Sequence, residues 1–271
     1  MRLIIVVIIS FWAALPALAN QLDLQGNFTQ GGLAIGRTAG DTKISFADHN
    51  VRVSSDGVFV IGFHRDDSGI MELTAHFADG SSEIRKIEIT TRDYNIQRID
   101  GLAPSQVTPK SDVVLKRIAD DVALVKAARK IDTNINWFLE SFIWPAKGRI
   151  SGVYGSQRVL NGIPKQPHYG VDVAAPVGTP VIAPATGTVV VAHHDMYYSG
   201  GTILLDHGHG LMSAFLHMQS VDVKVGQVIA QGEALGTIGA TGRATGPHLD
   251  WRMNWFNKRI DPQLLVSGLP E

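Results

Sequence analysis

The chain has 271 residues, with 24 Lys+Arg, 25 Asp+Glu, 10 His and no Cys. Its 45% apolar content is that of a globular protein and excludes general disorder, and a net charge of −1 gives no footing for a nucleic-acid binder. Without Cys there are no disulfides, no thiolate zinc ligands and no Cys nucleophile.

Arg2 and the amino terminus precede an apolar run from Leu3 to Leu15, interrupted only by Ser10. Ala17-Leu18-Ala19 then satisfies the small-x-small rule for signal peptidase. Residues 1–19 therefore read as the signal peptide of an exported protein. The run ends at Pro16 and is too short for a spanning anchor, and no Cys follows it to carry a lipid. No stable membrane anchor is expected after cleavage.

Residues 20–100 read as a β-sandwich domain. Turn clusters recur at Thr38-Ala39-Gly40-Asp41, Ser54-Ser55-Asp56-Gly57, Asp66-Asp67-Ser68-Gly69 and Asp79-Gly80. Met71, Leu73, Ala75 and Phe77 alternate with polar residues, and so do Ile87 and Ile89, which predicts a hairpin with one wet face. His49, His64 and His76 are scattered and read as surface residues.

Residues 101–144 read as a linker and a helix. Pro104 and Pro109 mark the linker, Ser111 can cap a helix starting at Asp112, and Val114, Ile118, Val122 and Val125 recur at helical spacing. The helix reads as a structural connector. From 145 to 267 Gly becomes dense, helical periodicity vanishes and short β-rich runs appear, the clearest at Val189–Ala192, Thr202–Leu205, Met212–Leu216 and Val228–Ala230. Seven of the ten His lie in this stretch.

Three pieces of this last region carry chemistry. They are His168-Tyr169-Gly170-Val171-Asp172, then His217 at the end of a strand-like run, then His248-Leu249-Asp250. Strand alternation points His248 and Asp250 into one pocket, about 6–7 Å apart. A straight strand would hold His168 and Asp172 about 13 Å apart, too far for one ion, so the chain is expected to bend between them at Gly170. Nitrogen and carboxylate ligands without thiolate suit a catalytic zinc, with a position left for water. His207 and His209 fall at a turn and read as structural or surface residues, and are the alternative ligands should Asp250 not bind metal. Arg158 precedes the first piece and is a candidate contact for a substrate carboxylate. Trp251, Trp255 and Phe256 read as packing residues.

The region from about 145 to 265 resembles the lysostaphin-like, LytM-domain zinc metallopeptidases, which cut peptide cross-bridges in bacterial cell walls. The resemblance rests on Gly152-Val153-Tyr154-Gly155, on His168 through Pro176 and on Pro184-Ala185-Thr186-Gly187-Thr188-Val189. It continues through Phe215-Leu216-His217-Met218 and Gly239-Ala240-Thr241-Gly242 to Gly246-Pro247-His248-Leu249. It implies a lysostaphin-like β-fold for this region alone; with the N-terminal β-sandwich and the helix read above, the chain is expected to be all-β, a sandwich joined by a helix to that fold. It implies zinc ligands at His168 and Asp172, and a third at Asp250, where the family's HxH is here HxD. It implies water-positioning roles for His217 and His248, peptidoglycan as substrate and, with the signal peptide, a periplasmic or cell-wall-associated location. The HxD departure leaves two readings. One is a zinc endopeptidase cleaving peptidoglycan cross-links. The other is an inactive binding module that activates another cell-wall hydrolase.

Overall fold

The computed structural model describes residues 21–99 and 112–270. The predicted signal peptide, the linker at 101–110 and Ser111 lie outside the described residues. As the turn spacing and apolar alternation predict, the described residues are mostly β, and among them one α-helix interrupts the strands.

Seven strands come first: β1 (Asp23–Gly26), β2 (Leu33–Arg37), β3 (Lys43–Phe46), β4 (His49–Val51), β5 (Val58–Gly62), β6 (Gly69–His76) and β7 (Ser82–Ile89). They form two antiparallel sheets, in the orders β1-β2-β5 and β4-β3-β6-β7. The predicted hairpin is β6–β7, with Met71 opposite Ile87 and Gly69 opposite Ile89. Leu73, Ala75, Phe77, Ile87 and Ile89 are buried, while Glu72, His76 and Glu88 face water. Apolar residues on one side and polar residues on the other fix the register, because a one-residue slip would exchange the two faces.

Next come β8 (Ile96–Ile99) and the helix α1 (Asp112–Ala128). Strands β9 (Arg149–Gly152), β10 (Gln157–Leu160), β11 (Ile163–Pro164), β12 (Val171–Ala174), β13 (Pro180–Ile182) and β14 (Gly187–Met196) follow. The last are β15 (Gly200–Asp206), β16 (Leu211–Val221), β17 (Val228–Ile229), β18 (Ala234–Ile238), β19 (Leu249–Trp255) and β20 (Lys258–Ile260). The main sheet runs β17-β14-β15-β16-β19-β12-β9, with β20 on β19, β18 on β16 and β13 on β18. Three of the β-rich runs legible in the sequence fall within β14, β15 and β16, and the fourth overlaps β17, which ends one residue short of Ala230.

The two halves of the chain share a core. Phe59, Ile61 and Leu73 belong to the same buried cluster as Phe215, Trp251, Trp255 and Ile260. Phe46 lies 6.1 Å from the Trp255 ring. His49 stacks on Phe256 at 5.0 Å, so it is a packing residue rather than a surface one. Gly62 permits this approach, because a Cβ there would stand 2.6 Å from Ile260 Cδ1 and 2.8 Å from Trp255 Cβ. Strand β8 also pairs in parallel with β10, which stitches the chain across the linker.

Alternation along the main sheet separates two faces. Val171, Val173, Leu249, Trp251 and Met253 enter the main core. On the other face Leu204, Ala214 and Leu216 form a second apolar cluster with Ala128 and partly buried Val125 of α1. The helix therefore lies on the sheet face opposite the main core. Of the apolar residues at helical spacing, Val122 is 44% exposed, and Ile118 and Val125 are partly buried.

His207 and His209 are buried. His207 Nδ1 lies 2.7 Å from the Thr186 carbonyl and Nε2 lies 2.6 Å from Ser213 Oγ. A carbonyl only accepts, so Nδ1 carries the proton and Nε2 accepts from the hydroxyl. Burial pushes the His207 pKa down to about 4. The unfolded chain takes up a proton near pH 6.5 that the folded chain refuses, so stability falls as pH drops from about 6.5 to about 4. The loss attributable to His207 is about 3 kcal/mol at the acid end. Melting temperatures across that range check it: the slope should flatten in His207→Gln, and an unchanged slope would remove His207 as its cause.

Candidate metal centre

Strands β12 and β19 build the centre of the site. Asp172 pairs directly with Asp250 across them, and Val171 pairs with Trp251. Because Val171 and Trp251 enter the core, both carboxylates point to the opposite face. Direct cross-strand partners hold their Cβ atoms about 4.5–5.5 Å apart, where like charges repel. Glycines make the room: a Cβ at Gly152 would stand 2.2 Å from Asp172 Oδ2, and one at Gly170 would stand 2.5 Å from Asp250 Oδ1. Gly170 thus serves the site by its small size.

The expected bend brings His168 to Asp172. His168 precedes β12, where its N–H donates to the Ser156 carbonyl and its own carbonyl accepts from Gly155 N–H, both at 2.8 Å. His168 Nε2 lies 3.1 Å from Asp172 Oδ1. Both atoms are buried and neither has an aligned hydrogen-bond partner. One donor atom from each of His168, Asp172 and Asp250 lies within 4.8 Å of the others. Burial resists protonation of His168, but Asp172 and Asp250 outweigh it and push its pKa up. The cluster therefore attracts positive charge. One nitrogen and two carboxylate oxygens, orphaned and converging, fit a divalent ion such as zinc.

His217 reaches the site through a β-bulge. Gly201 pairs with Met218 and Ile203 with Phe215, so Leu216 and His217 together oppose Thr202. His217 takes a φ of +64°, unusual for a residue with a side chain. The bulge re-aims it from the core side towards His248, and the two rings lie 4.8 Å apart. His217 Nδ1 is 2.8 Å from the Thr241 carbonyl, and His248 Nδ1 is 2.8 Å from the Gly246 carbonyl. Each carbonyl requires a proton on Nδ1, which leaves Nε2 as the free face of both rings. His248 Nε2 lies 3.9 Å from Asp172 Oδ1. Burial lowers the His217 pKa and favours the neutral ring.

Arg252 is the residue that the motifs do not mark. Its spacing of two from Asp250 puts both on one strand face. Arg252 Nε lies 3.0 Å from each Asp250 oxygen, and an Nη donates to Oδ2 at 2.5 Å. Burial alone would raise the Asp250 pKa; Arg252 outweighs it and holds the carboxyl down to about 2.

The predicted residues His168, Asp172, His217, His248 and Asp250 thus converge. Arg158 is exposed on β10, and none of the hydrogen bonds or ion pairs of the described residues ties it to the others. His207 and His209 stand apart. His207 bonds Thr186 and Ser213, and His209 packs on Phe138 at 4.7 Å.

Residues 166–262, which contain this whole constellation, match Peptidase family M23. The chain carries an M23 domain. Peptidoglycan DD-endopeptidase ShyA of Vibrio cholerae is 38% identical over 127 residues, which is 46% of this chain and 26% of the relative. Cell division protein DipM of Caulobacter vibrioides is 34% identical over 131 residues, 46% of this chain and 21% of the relative. The chain thus spans about a quarter or less of these curated relatives. A crystal structure of a candidate peptidase M23 from Pseudomonas aeruginosa superposes with a TM-score of 0.68 at 28% identity. That likeness covers 88% of this chain and 94% of the other, so it extends beyond the M23 domain.

Arg252→Gln leaves two opposed carboxylates without their buried cation, which costs about 3 kcal/mol in metal-free protein. A divalent ion should recover part of that loss. The zinc-induced rise in melting temperature is expected to be larger in the variant than in the parent. Equal metal-free stabilities would show that Arg252 does not offset the carboxylates.

Proposed function

We propose that this chain is an exported zinc endopeptidase that cuts peptide cross-links of bacterial peptidoglycan. The observation that carries the proposal is the convergence of His168, Asp172 and Asp250 within 4.8 Å, beside two imidazoles with free Nε2 faces. The match to a peptidase family and to a relative named as a peptidoglycan endopeptidase supports it.

In this reading His168, Asp172 and Asp250 hold the metal. Bound there, zinc would acidify a water and polarise the scissile carbonyl. His217, kept neutral by burial, accepts the proton of the attacking water at Nε2. His248, its Nδ1 fixed on Gly246, offers its Nε2 to the same reacting atoms. A protonated imidazole donates to the developing oxyanion and then returns the proton to the leaving amine. The fixed tautomers mean that neither ring must turn before it acts.

Arg252 bears on the HxD departure. Two carboxylates alone would cancel a dication, lower its pull on water and weaken the reaction. The guanidinium offsets one of them, so the donor set with Arg252 carries −1, the charge of a single carboxylate with neutral imidazoles.

The test is digestion of purified peptidoglycan by the zinc-supplied protein, with fragments identified by mass. Cleaved cross-links are expected, and Asp172→Ala should reduce their release by at least about a hundredfold. A folded, zinc-supplied protein that releases no fragments would overturn the endopeptidase and favour a module that activates another hydrolase.

A further inference from the structure

Between α1 and the groove face of the main sheet lies a cavity of about 670 Å³. His217 lines it, so it opens onto the candidate centre. Leu204, Ala214 and Leu216 are among its apolar lining residues. Its charged lining is basic: Lys126 and Arg129, joined by Arg243, Arg252 and Arg259. The one acid among the lining residues is Asp121, whose carboxylate accepts the Tyr197 N–H at 2.7 Å.

These cations differ in what they already hold. Arg252 is committed to Asp250. Arg243 is exposed and stacks on Tyr198 at 4.3 Å. Arg129 and Arg259 are partly buried and belong to none of the ion pairs of the described residues. Arg129 Nε is buried without a hydrogen-bond partner. Arg259 donates to the neutral amide oxygen of Asn254 at 2.8 Å and lies over the Tyr169 ring at 5.1 Å. Burial, then the other guanidiniums, lower both pKa values, to about 10 for Arg129 and about 9 for Arg259. Holding guanidiniums together away from bulk water is unfavourable, and an incoming carboxylate would relieve it. The planar fork of Arg matches a carboxylate in two parallel hydrogen bonds.

We propose that this cavity is a substrate subsite in which Arg129 and Arg259 bind a free carboxylate of the peptide, next to the bond presented to His217. The proposal rests on the peptidase reading for its substrate class, but binding can be measured without cleavage. The helix α1 gains a role with it: Arg129, just beyond its last turn, carries one of the two forks.

The probes are N-acetyl-D-alanyl-D-alanine and its C-terminal amide, titrated calorimetrically into the purified protein, metal-free and zinc-loaded, at low salt. The free acid should bind at least about tenfold more tightly than the amide in both forms, since an Arg–carboxylate pair is a charge-assisted contact. Arg129→Gln and Arg259→Gln should each remove the preference and leave the affinity for the amide unchanged. In ¹⁵N-labelled parent protein the Arg129 Nε–Hε resonance should shift with the acid and stay in place with the amide, a readout that does not depend on the variants folding. Equal binding of the two probes, no binding of either, or a preference retained in both variants would overturn the subsite. An acid preference without peptidoglycan cleavage would leave the subsite standing and remove the catalytic reading. Cleavage without an acid preference would do the reverse.

Discussion

The site depends on two carboxylates set opposite each other in a β-ladder. Asp172 and Asp250 are direct partners across β12 and β19, on the face turned away from the main core. Backbone pairing puts them there whether or not their charges agree, and the buried neighbours Val171, Val173, Leu249 and Trp251 lock the register. What accumulates is negative potential in a partly buried place. Everything nearby answers it: Arg252 grips one carboxylate, His168 approaches the other, and Gly152 and Gly170 leave room for both. A dication held there, as proposed, would complete the same balance.

The histidines that face this centre are positioned by irregularity rather than by regular structure. A plain strand would send His217 to the side of the sheet opposite Leu216. The bulge and the positive φ turn it to the same side, and the Thr241 carbonyl then fixes which nitrogen is free. The backbone strain at His217 is supported by short hydrogen bonds, including its own N–H to the Ser199 carbonyl at 2.7 Å. The catalytic geometry proposed here is thus stored in the backbone, ahead of any ligand.

The legible part of this site is the part written in short spacings. His168 with Asp172, and His248 with Asp250, announce themselves because the partners sit two to four residues apart. The all-β character and the β6–β7 hairpin are legible for the same reason, since alternation is local. The pairing of Asp172 with Asp250 spans 78 positions and depends on which strands meet, which no local pattern encodes. Arg252 stands at a legible spacing from Asp250, but its role in offsetting two carboxylates follows only from that pairing, and the gathering of Arg129 and Arg259, outside the ion pairs of the described residues, only from where α1 docks. The helix itself is legible as an element. Its packing on the groove face is not, because its apolar face is weak and Val122 stays exposed. The shared core of Phe46, Trp255 and Phe256 is hidden too, since periodicity reports that a residue is buried and not against what.

Exchanging a neutral imidazole for a carboxylate adds a negative charge at the centre, and a count of ligands alone would call the site weakened. Arg252 changes that count, because a guanidinium two residues along the same strand face is fixed by the same ladder that fixes Asp250. Charge at a metal site belongs to the whole buried group and not only to the atoms that touch the ion. Asp250 with Arg252 together resemble a neutral donor in net charge while keeping a hard oxygen toward the cavity. The cost would lie in divided loyalty: with an ion bound as proposed, Asp250 would share its oxygens between that ion and the guanidinium. Such sharing lowers the electron density offered to the metal and so preserves its pull on water. The departure from HxH is therefore compatible with catalysis on electrostatic grounds, and its consequence should appear first in metal affinity.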